Sequence, residues 1–334
     1  MIKERNIKID FIKFLGLFAI ILAHVGPNEK IFQLRNFDVP LMVFISGFLS
    51  YDSYKKSKSY LSYLYKRIKR IVIPTWIFLI IYFMLILLLN KMFGVVNPYN
   101  KKQMLESFFF LDGIGYVWIV RVYLLIEIIL PLLIFIIDKF KSIYIYLIVV
   151  SLFLLNELLC IYGIYGMNKF NSLFLCNIIG YGIISLLGLF SRKMNKENYF
   201  NMFLLFSIIF LFYVSYNYKI NHTFIYTQLM KYPPRLYYLS YSMIITYLLM
   251  LLNIKINNNI LKKIIVYSSK NSFWIYLWHI LFIFVINIFN PNMSWYYRYI
   301  IISILSLLTV YLQNLLKNKL NKKIKMEWLD EKYN

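Results

Sequence analysis

Apolar runs about as long as a bilayer is thick recur from one end of this 334-residue chain to the other. That repetition limits the fold more than any motif does. A hydrocarbon core of ~30 Å takes about 20 apolar residues per helix, and a spanning element must satisfy its own backbone N–H and C=O groups. Ten segments are candidates, near 7–26, 37–50, 71–93, 117–137, 143–161, 172–190, 199–218, 236–254, 272–290 and 296–316. The second is short and opens near Pro40, which suits a tilted helix or one partly buried in protein. The stretch FFFLDGIG at 108–115 is apolar too, but Asp112 and two glycines give it the character of a re-entrant or interfacial segment, which leaves the helix count open by about one. The pattern predicts an all-α, polytopic membrane protein.

Lys and Arg set the expected orientation. With ten spans and both termini inside, the cytoplasmic segments hold 26 basic residues, the outer loops 10, and Arg121 is intramembrane. This asymmetry accounts for the net charge of +23, which otherwise suggests a nucleic-acid binder. The charge is mainly topogenic, with attraction to anionic lipid as a by-product, and no nucleic-acid partner is expected. No small-residue cleavage pattern follows His24, and the first apolar run carries Asp10 and Lys13, so it is expected to be retained rather than removed as a secretory signal. Cys160 and Cys176 flank one outer loop; they are too few and too apolar in setting for a metal site, and a disulfide between them is open. GxxxxGK, HExxH and GxSxG patterns are absent, and no metal is expected.

The opening helix, IDFIKFLGLFAIILAH at 9–24, carries three polar residues that a bilayer disfavours. At 100° per residue, Lys13 and His24 lie within about 20° of each other around the axis, and Asp10 about 40° from His24. The stripe climbs roughly 20 Å at 1.5 Å per residue. Asp10 and Lys13 suit a local ion pair with Lys13 reaching the inner headgroups. His24 suits a hydrogen bond to a neighbouring helix or, with the rest of the stripe, the wall of a cavity.

A second cluster, YLYKRIKRIVIPTW at 63–76, places Arg67 and Arg70 three apart on a helical surface, with Lys66 and Lys69 beside them. Pro74 can begin the following membrane helix at its first turn. Arginine presents paired donors to phosphate oxygens, and a helix N-terminus adds a favourable dipole. The alternative is ordinary positive-inside charge.

Taken in order, these residues resemble acyltransferase family 3. They are His24 with a basic residue eleven before it, FDVPLMVFISGFLS at 37–50, RIKRIVIP at 67–74, YVWIVRVYLLIEIILPLL at 116–133 and NSFWIYLWHILF at 271–282. The resemblance spans nearly the whole chain and implies an integral-membrane O-acyltransferase of cell-surface polysaccharides. It implies acyl-CoA, usually acetyl-CoA, as the donor from the cytoplasmic side, with phosphates held by Arg67 and Arg70 as counterparts of the family's Arg-x-x-Arg. His24 matches the family's first-helix histidine. Lys13 stands where the family commonly has Arg, and lysine offers a point charge without the guanidinium fork. A neutral imidazole suits removal of the acceptor hydroxyl proton, or His24 can carry the acyl group itself.

Four further residues are candidates for substrate contact. Ser46, beside Gly47, can line the acyl path or serve close helix packing. Arg121 and Glu127 are six apart, on different faces of one helix, so each is expected to meet another helix. His279 lies deep in a late helix among Trp274, Tyr276 and Trp278, with packing as its alternative role. Arg235 lies in KYPPRLYY at 231–238, downstream of His222, where aromatic and polar groups suit a sugar or the membrane interface.

The expected organisation is one transmembrane acyltransferase domain over 1–334, ending in a short basic cytoplasmic tail at 317–334. The esterase-like domain that some family members carry is not seen, so the protein is expected to acylate its acceptor directly or pass the group to a separate protein. The expected partners are a polysaccharide or lipid-linked glycan acceptor, membrane lipids and proteins of polysaccharide assembly, in a bacterial plasma membrane. Ten helices, intramembrane charge and a basic mouth also fit a secondary transporter or flippase for a glycolipid or small anion, although no matching pair of broken helices marks the two halves. A structural component of a polysaccharide assembly complex is a third possibility.

Overall fold

The computed structural model describes residues 5–333, with side chains to residue 320, so most of the basic tail lies outside the described side chains. No strand occurs among these residues. Thirteen α-helices follow in order: α1 (Ile7–His24), α2 (Glu29–Leu34), α3 (Asp38–Lys55), α4 (Tyr60–Phe93), α5 (Lys101–Phe108), α6 (Trp118–Lys139), α7 (Ser142–Ile161), α8 (Cys176–Phe190), α9 (Lys196–Asn221), α10 (Leu236–Leu251), α11 (Asn259–Lys270), α12 (Ser272–Phe289) and α13 (Trp295–Tyr333).

Every apolar segment of the sequence falls on one of these helices, but seven are long and apolar enough to cross a membrane: α4, α6, α7, α8 with the turns flanking it, α9, α12 and α13. The other three segments fall short for physical reasons. α1 carries Lys8, Asp10 and Lys13, α3 carries Asp38, Asp52 and Lys55, and α10 has 16 residues. The helices at 29–34, 101–108 and 259–270 lie in what the sequence pattern treats as loops.

α8 is the centre of the bundle. Its span is 72% buried, against 11% for α9 at the periphery, and it packs on α3, α6 and α7. Small residues make the α3–α8 crossing close. A Cβ on Gly47 would stand 2.4 Å from the Ser185 carbonyl oxygen, and one on Gly188 would stand 2.1 Å from that of Phe44. Without a hydrophobic driving force between helices in lipid, such backbone approach supplies the packing.

Two local expectations are corrected. Pro74 does not open a helix but lies inside α4, whose N-terminus is capped by the Ser59 side chain accepting from the Ser62 N–H. The basic cluster and the following span are therefore one 34-residue helix. Proline lacks an N–H and relieves one carbonyl of its helical partner, and one residue further the Thr75 hydroxyl bonds the Ile71 carbonyl at 2.8 Å. Asp10 does not pair with Lys13. It accepts from Arg5 Nη2 at 2.7 Å and from the Ser269 hydroxyl at 2.6 Å, while Lys13 Nζ donates to the Ser269 carbonyl at 2.8 Å. α11, packed against α1, offers both groups a partner. Cys160 and Cys176 are free thiols.

Beyond Phe108, the last residue of α5, the 109–115 segment is a non-helical connection, with Phe110, Gly113 and Gly115 at positive φ. Arg121, one turn into α6, donates to the carbonyls of Phe110 and Leu111 at 2.6 and 2.7 Å. Irregular backbone buried in an apolar bundle needs such partners.

Candidate functional site

α1 starts where the Asn6 side chain accepts from the N–H groups of Lys8 and Ile9. It stops at Val25, ahead of Gly26 at φ +68 and Pro27. A left-handed glycine followed by proline is an efficient stop, and it leaves His24 on the last turn. Lys13 and His24 are separated by ~16 Å along this helix. Each lines a different cavity.

The first cavity, about 320 Å³, is bordered by Lys13, Arg67, Arg70 and Glu127, with Ser46, Ser50, Ser53 and Tyr123 further along its wall. Three cations face one carboxylate. Arg67 is partly held: its Nε donates to the Tyr63 hydroxyl at 3.1 Å and lies 3.6 Å from Glu127 Oε1, and its Nη2 reaches the Ser50 hydroxyl at 3.4 Å. Tyr63 in turn donates to Glu127. Arg70, one turn on, is exposed. Ser272 and Phe273 at the start of α12 border the same space, so its nearby helix N-terminus is that of α12 rather than one beginning at Pro74. The arrangement has net positive charge, guanidinium donors and a helix dipole, the elements of a phosphate site.

The second cavity, about 170 Å³, is bordered by His24, Arg35, Asp38, Trp118, Gln228, Lys231 and Tyr232. Ile20, Ile119 and Tyr276 border both cavities. The stripe read on α1 therefore runs from the basic cavity to the histidine cavity, with Ile20 at the common wall.

His24 Nδ1 lies 3.0 Å from His279 Nε2, and His279 Nδ1 bonds the Tyr276 carbonyl. A carbonyl only accepts, so when both rings are neutral His279 carries its proton on Nδ1 and offers Nε2 as an acceptor. His24 then donates from Nδ1, and its own Nε2 keeps a lone pair. The Tyr116 ring meets His24 edge-on at 5.0 Å between centroids, and the Tyr276 hydroxyl donates to the Tyr116 carbonyl at 2.6 Å. The imidazole is thus fixed in both tautomer and direction.

Lys13, Ser46, Arg67 and Arg70 share one cavity, and His24 and His279 form a pair. Ser46 and Gly47 divide the two roles considered for them, one on the cavity wall and the other in the α3–α8 contact. Arg121 and Arg235 border neither cavity. Arg121 is spent on loop carbonyls. Arg235 Nη2 and Nε donate to Glu157 Oε2 at 2.9 and 3.1 Å, while Glu157 Oε1 accepts the Leu236 N–H at 2.6 Å and so caps α10. His222 is exposed at the end of α9. In the same KYPPRLYY stretch it is Lys231 and Tyr232 that border the histidine cavity.

Sequence reasoning passed over Arg35, Asp38, Lys231 and the Glu127–Tyr63 contact with Arg67. A charged residue two before Pro-Leu at the head of an apolar run was the available signal for Asp38 and its i,i+3 neighbour Arg35. Among the described residues no group of three or more His, Cys, Asp or Glu side chains could hold a metal ion. Comparison with curated proteins and with solved structures gave no match. A family model described as an acyltransferase domain does match, over residues 6–323, and on that nearly full-length match the chain belongs to acyltransferase family 3, the membrane acyltransferases that its histidine, arginine and Tyr-Leu-x-His motifs resemble.

Proposed function

We propose that this protein moves an acetyl group from cytoplasmic acetyl-CoA to a hydroxyl of a cell-surface polysaccharide or its lipid-linked precursor. The observation that carries this is the juxtaposition of a cation-lined cavity and a histidine-paired cavity across a wall they share at Ile20, Ile119 and Tyr276. CoA phosphates would sit against Arg70, Arg67 and Lys13, and the slender pantetheine arm would run past Ser46 toward the shared wall. The acceptor hydroxyl would enter from the His24 side. In this arrangement all ten apolar segments lie in a bacterial plasma membrane with both termini cytoplasmic, the basic cavity inward and the histidine cavity outward.

The chemistry asks for a positioned base and little more, because a thioester is already reactive. His24 Nε2 takes the hydroxyl proton as oxygen attacks the thioester carbon. The imidazolium that forms still donates from Nδ1 to neutral His279, which accepts and orients it, the part the carboxylate plays in a catalytic triad. Collapse breaks the carbon–sulfur bond, and the proton on Nε2 leaves with the thiolate. Attack by Nε2 itself, through an acyl-imidazole, uses the same lone pair.

Purified protein given labelled acetyl-CoA and extracted surface glycan is expected to release CoA and label the glycan. The two adjoining cavities also fit a flippase, and that alternative gains if no thioester is cleaved while labelled glycolipid crosses the membrane. Orientation is tested separately: a single cysteine at Lys58, in the turn between α3 and α4, is expected to resist an impermeant thiol reagent in intact cells, and ready labelling reverses the topology.

A further inference from the structure

The histidine cavity holds more positive charge than it has partners for. Asp38 is its one carboxylate, and both oxygens are engaged: Oδ2 accepts from Arg35 Nη1 at 2.9 Å and Oδ1 from the Val39 N–H at 2.8 Å. Lys231, 5% exposed, comes no closer to Asp38 than 4.0 Å. Among the described residues its ammonium has no hydrogen bond. It faces the rings of Tyr232, Trp118 and Tyr238 at 5.6, 5.7 and 5.9 Å from their centroids. Arg35 Nε and Gln228 Oε1 are likewise buried without a partner. Burial draws the Lys231 ammonium below its ordinary range; Asp38 opposes that and Arg35 adds to it.

A buried ammonium without a bonded anion is costly, and removing a partner from such a group is among the most damaging changes a protein can suffer. Here the missing partner has a space of about 170 Å³ in front of it, more than ten times the ~10–15 Å³ that one water occupies. The same space reaches His24. Trp118 and Tyr232 meet edge to face at 5.3 Å beside it, giving flat apolar surfaces of the kind that pack on the C–H faces of a sugar.

We infer that Lys231, supported by Arg35, binds an anionic substituent of the acceptor, a carboxylate or phosphate on the sugar whose hydroxyl faces His24. This rests on the acyltransferase reading for its use, not for its chemistry. An anion here forms charge-assisted hydrogen bonds with donors that otherwise have none. A neutral sugar leaves them unpaired, and a site rejects ligands on that ground. Asp38 keeps the empty site tolerable without neutralising it.

The test uses the full chain in phosphatidylcholine nanodiscs, with methyl glucoside, methyl glucuronide and methyl glucoside 6-phosphate as probes. Binding is read by calorimetry without acetyl-CoA, and transfer by labelled acetyl-CoA. Wild type is expected to favour the charged sugars by at least about tenfold in both assays. Lys231→Arg should keep that preference, and Lys231→Gln should bring the ratio close to one. Equal binding or no binding of charged and neutral sugars by wild type overturns the inference, as does a preference that survives in Lys231→Gln. Phosphatidylglycerol nanodiscs supply the other source of anion: if that lipid stabilises wild type over Lys231→Gln while the sugars add nothing, the site holds a headgroup and the inference fails. Lys231-dependent binding of the charged sugars with no thioester consumed by wild type leaves the subsite standing and removes the acyltransferase reading instead.

Discussion

The two cavities use positive charge in opposite ways. In the basic cavity the cations are less buried: Arg70 is exposed, Lys13 is half-buried with a carbonyl as partner, and Arg67 keeps a 3.6 Å approach to Glu127. In the histidine cavity Arg35, Asp38 and Lys231 are all nearly removed from water, on segments that meet only through tertiary packing. Less buried cations suit a ligand that must enter and leave. Buried ones suit discrimination, because any mismatch leaves a charge without a partner. The His24–His279 pair belongs to the second environment, beside the shared wall.

The largest expected effect divides the two regions. His24→Ala should lower acetyl transfer by about 10² to 10⁴-fold, the usual cost of removing a general base, while acetyl-CoA binding in the basic cavity stays near wild type. Transfer at wild-type rate by well-folded His24→Ala protein removes the catalytic role. Loss of CoA binding in the same variant merges the two regions that the geometry keeps apart.

The next is carried by His279. His279→Leu takes away the acceptor for His24 Nδ1, and a hydrogen bond to a charged group is worth about 1.5–3 kcal/mol, or roughly ten- to a hundredfold in rate. His279→Gln can offer a carbonyl oxygen at a similar reach and is expected to recover part of that loss. If Leu and Gln behave alike, with melting temperature falling in step, His279 is packing rather than positioning.

A smaller effect belongs to the exposed side of the basic cavity. Arg70→Ala should weaken acetyl-CoA binding by about tenfold, the lower end for a charged hydrogen bond in contact with water, with transfer at saturating donor nearly unchanged. Arg67→Ala should also destabilise the protein, since it takes from buried Glu127 its guanidinium neighbour at 3.6 Å. Adding Glu127→Gln should restore stability and not donor affinity. Unchanged CoA affinity in both alanine variants reduces the pair to topogenic charge.

What the sequence made legible depended on helical periodicity. Lys13 and His24 could be placed on one face of α1 because 3.6 residues per turn puts them there whatever surrounds them. Arg67 and Arg70 could be paired for the same reason. Tertiary partners were not legible. Nothing local to Asp10 announces Ser269, and Lys13, a turn along the same face, was the reasonable but incorrect choice. Lys231 reaches Asp38 across almost two hundred residues of chain, while Arg235, four positions on, turns to α7. Pro74 misled because proline at a first turn is common, yet a helix capped at Ser59 carries through it. The family resemblance singled out one histidine and two arginines; it was silent on the cluster of Arg35, Asp38 and Lys231.

The smallest expected effect sharpens the comparison from outside both cavities. Arg235 and Lys231 share one short stretch and one charge, and the sequence singles out Arg235 for its place among aromatics and prolines just before a helix. The structure gives Arg235 to Glu157, whose other oxygen caps α10. Arg235→Ala should therefore cost about 1 kcal/mol of stability or less, because the pair is partly exposed and the cap survives. Acetyl transfer per folded molecule should not change for either charged or neutral sugar acceptors. A loss of transfer in Arg235→Ala beyond its loss of folded protein would move the acceptor surface from Lys231 toward α7. An unchanged rate there, beside altered acceptor preference in Lys231→Gln, would confine recognition to the wall that His24 faces.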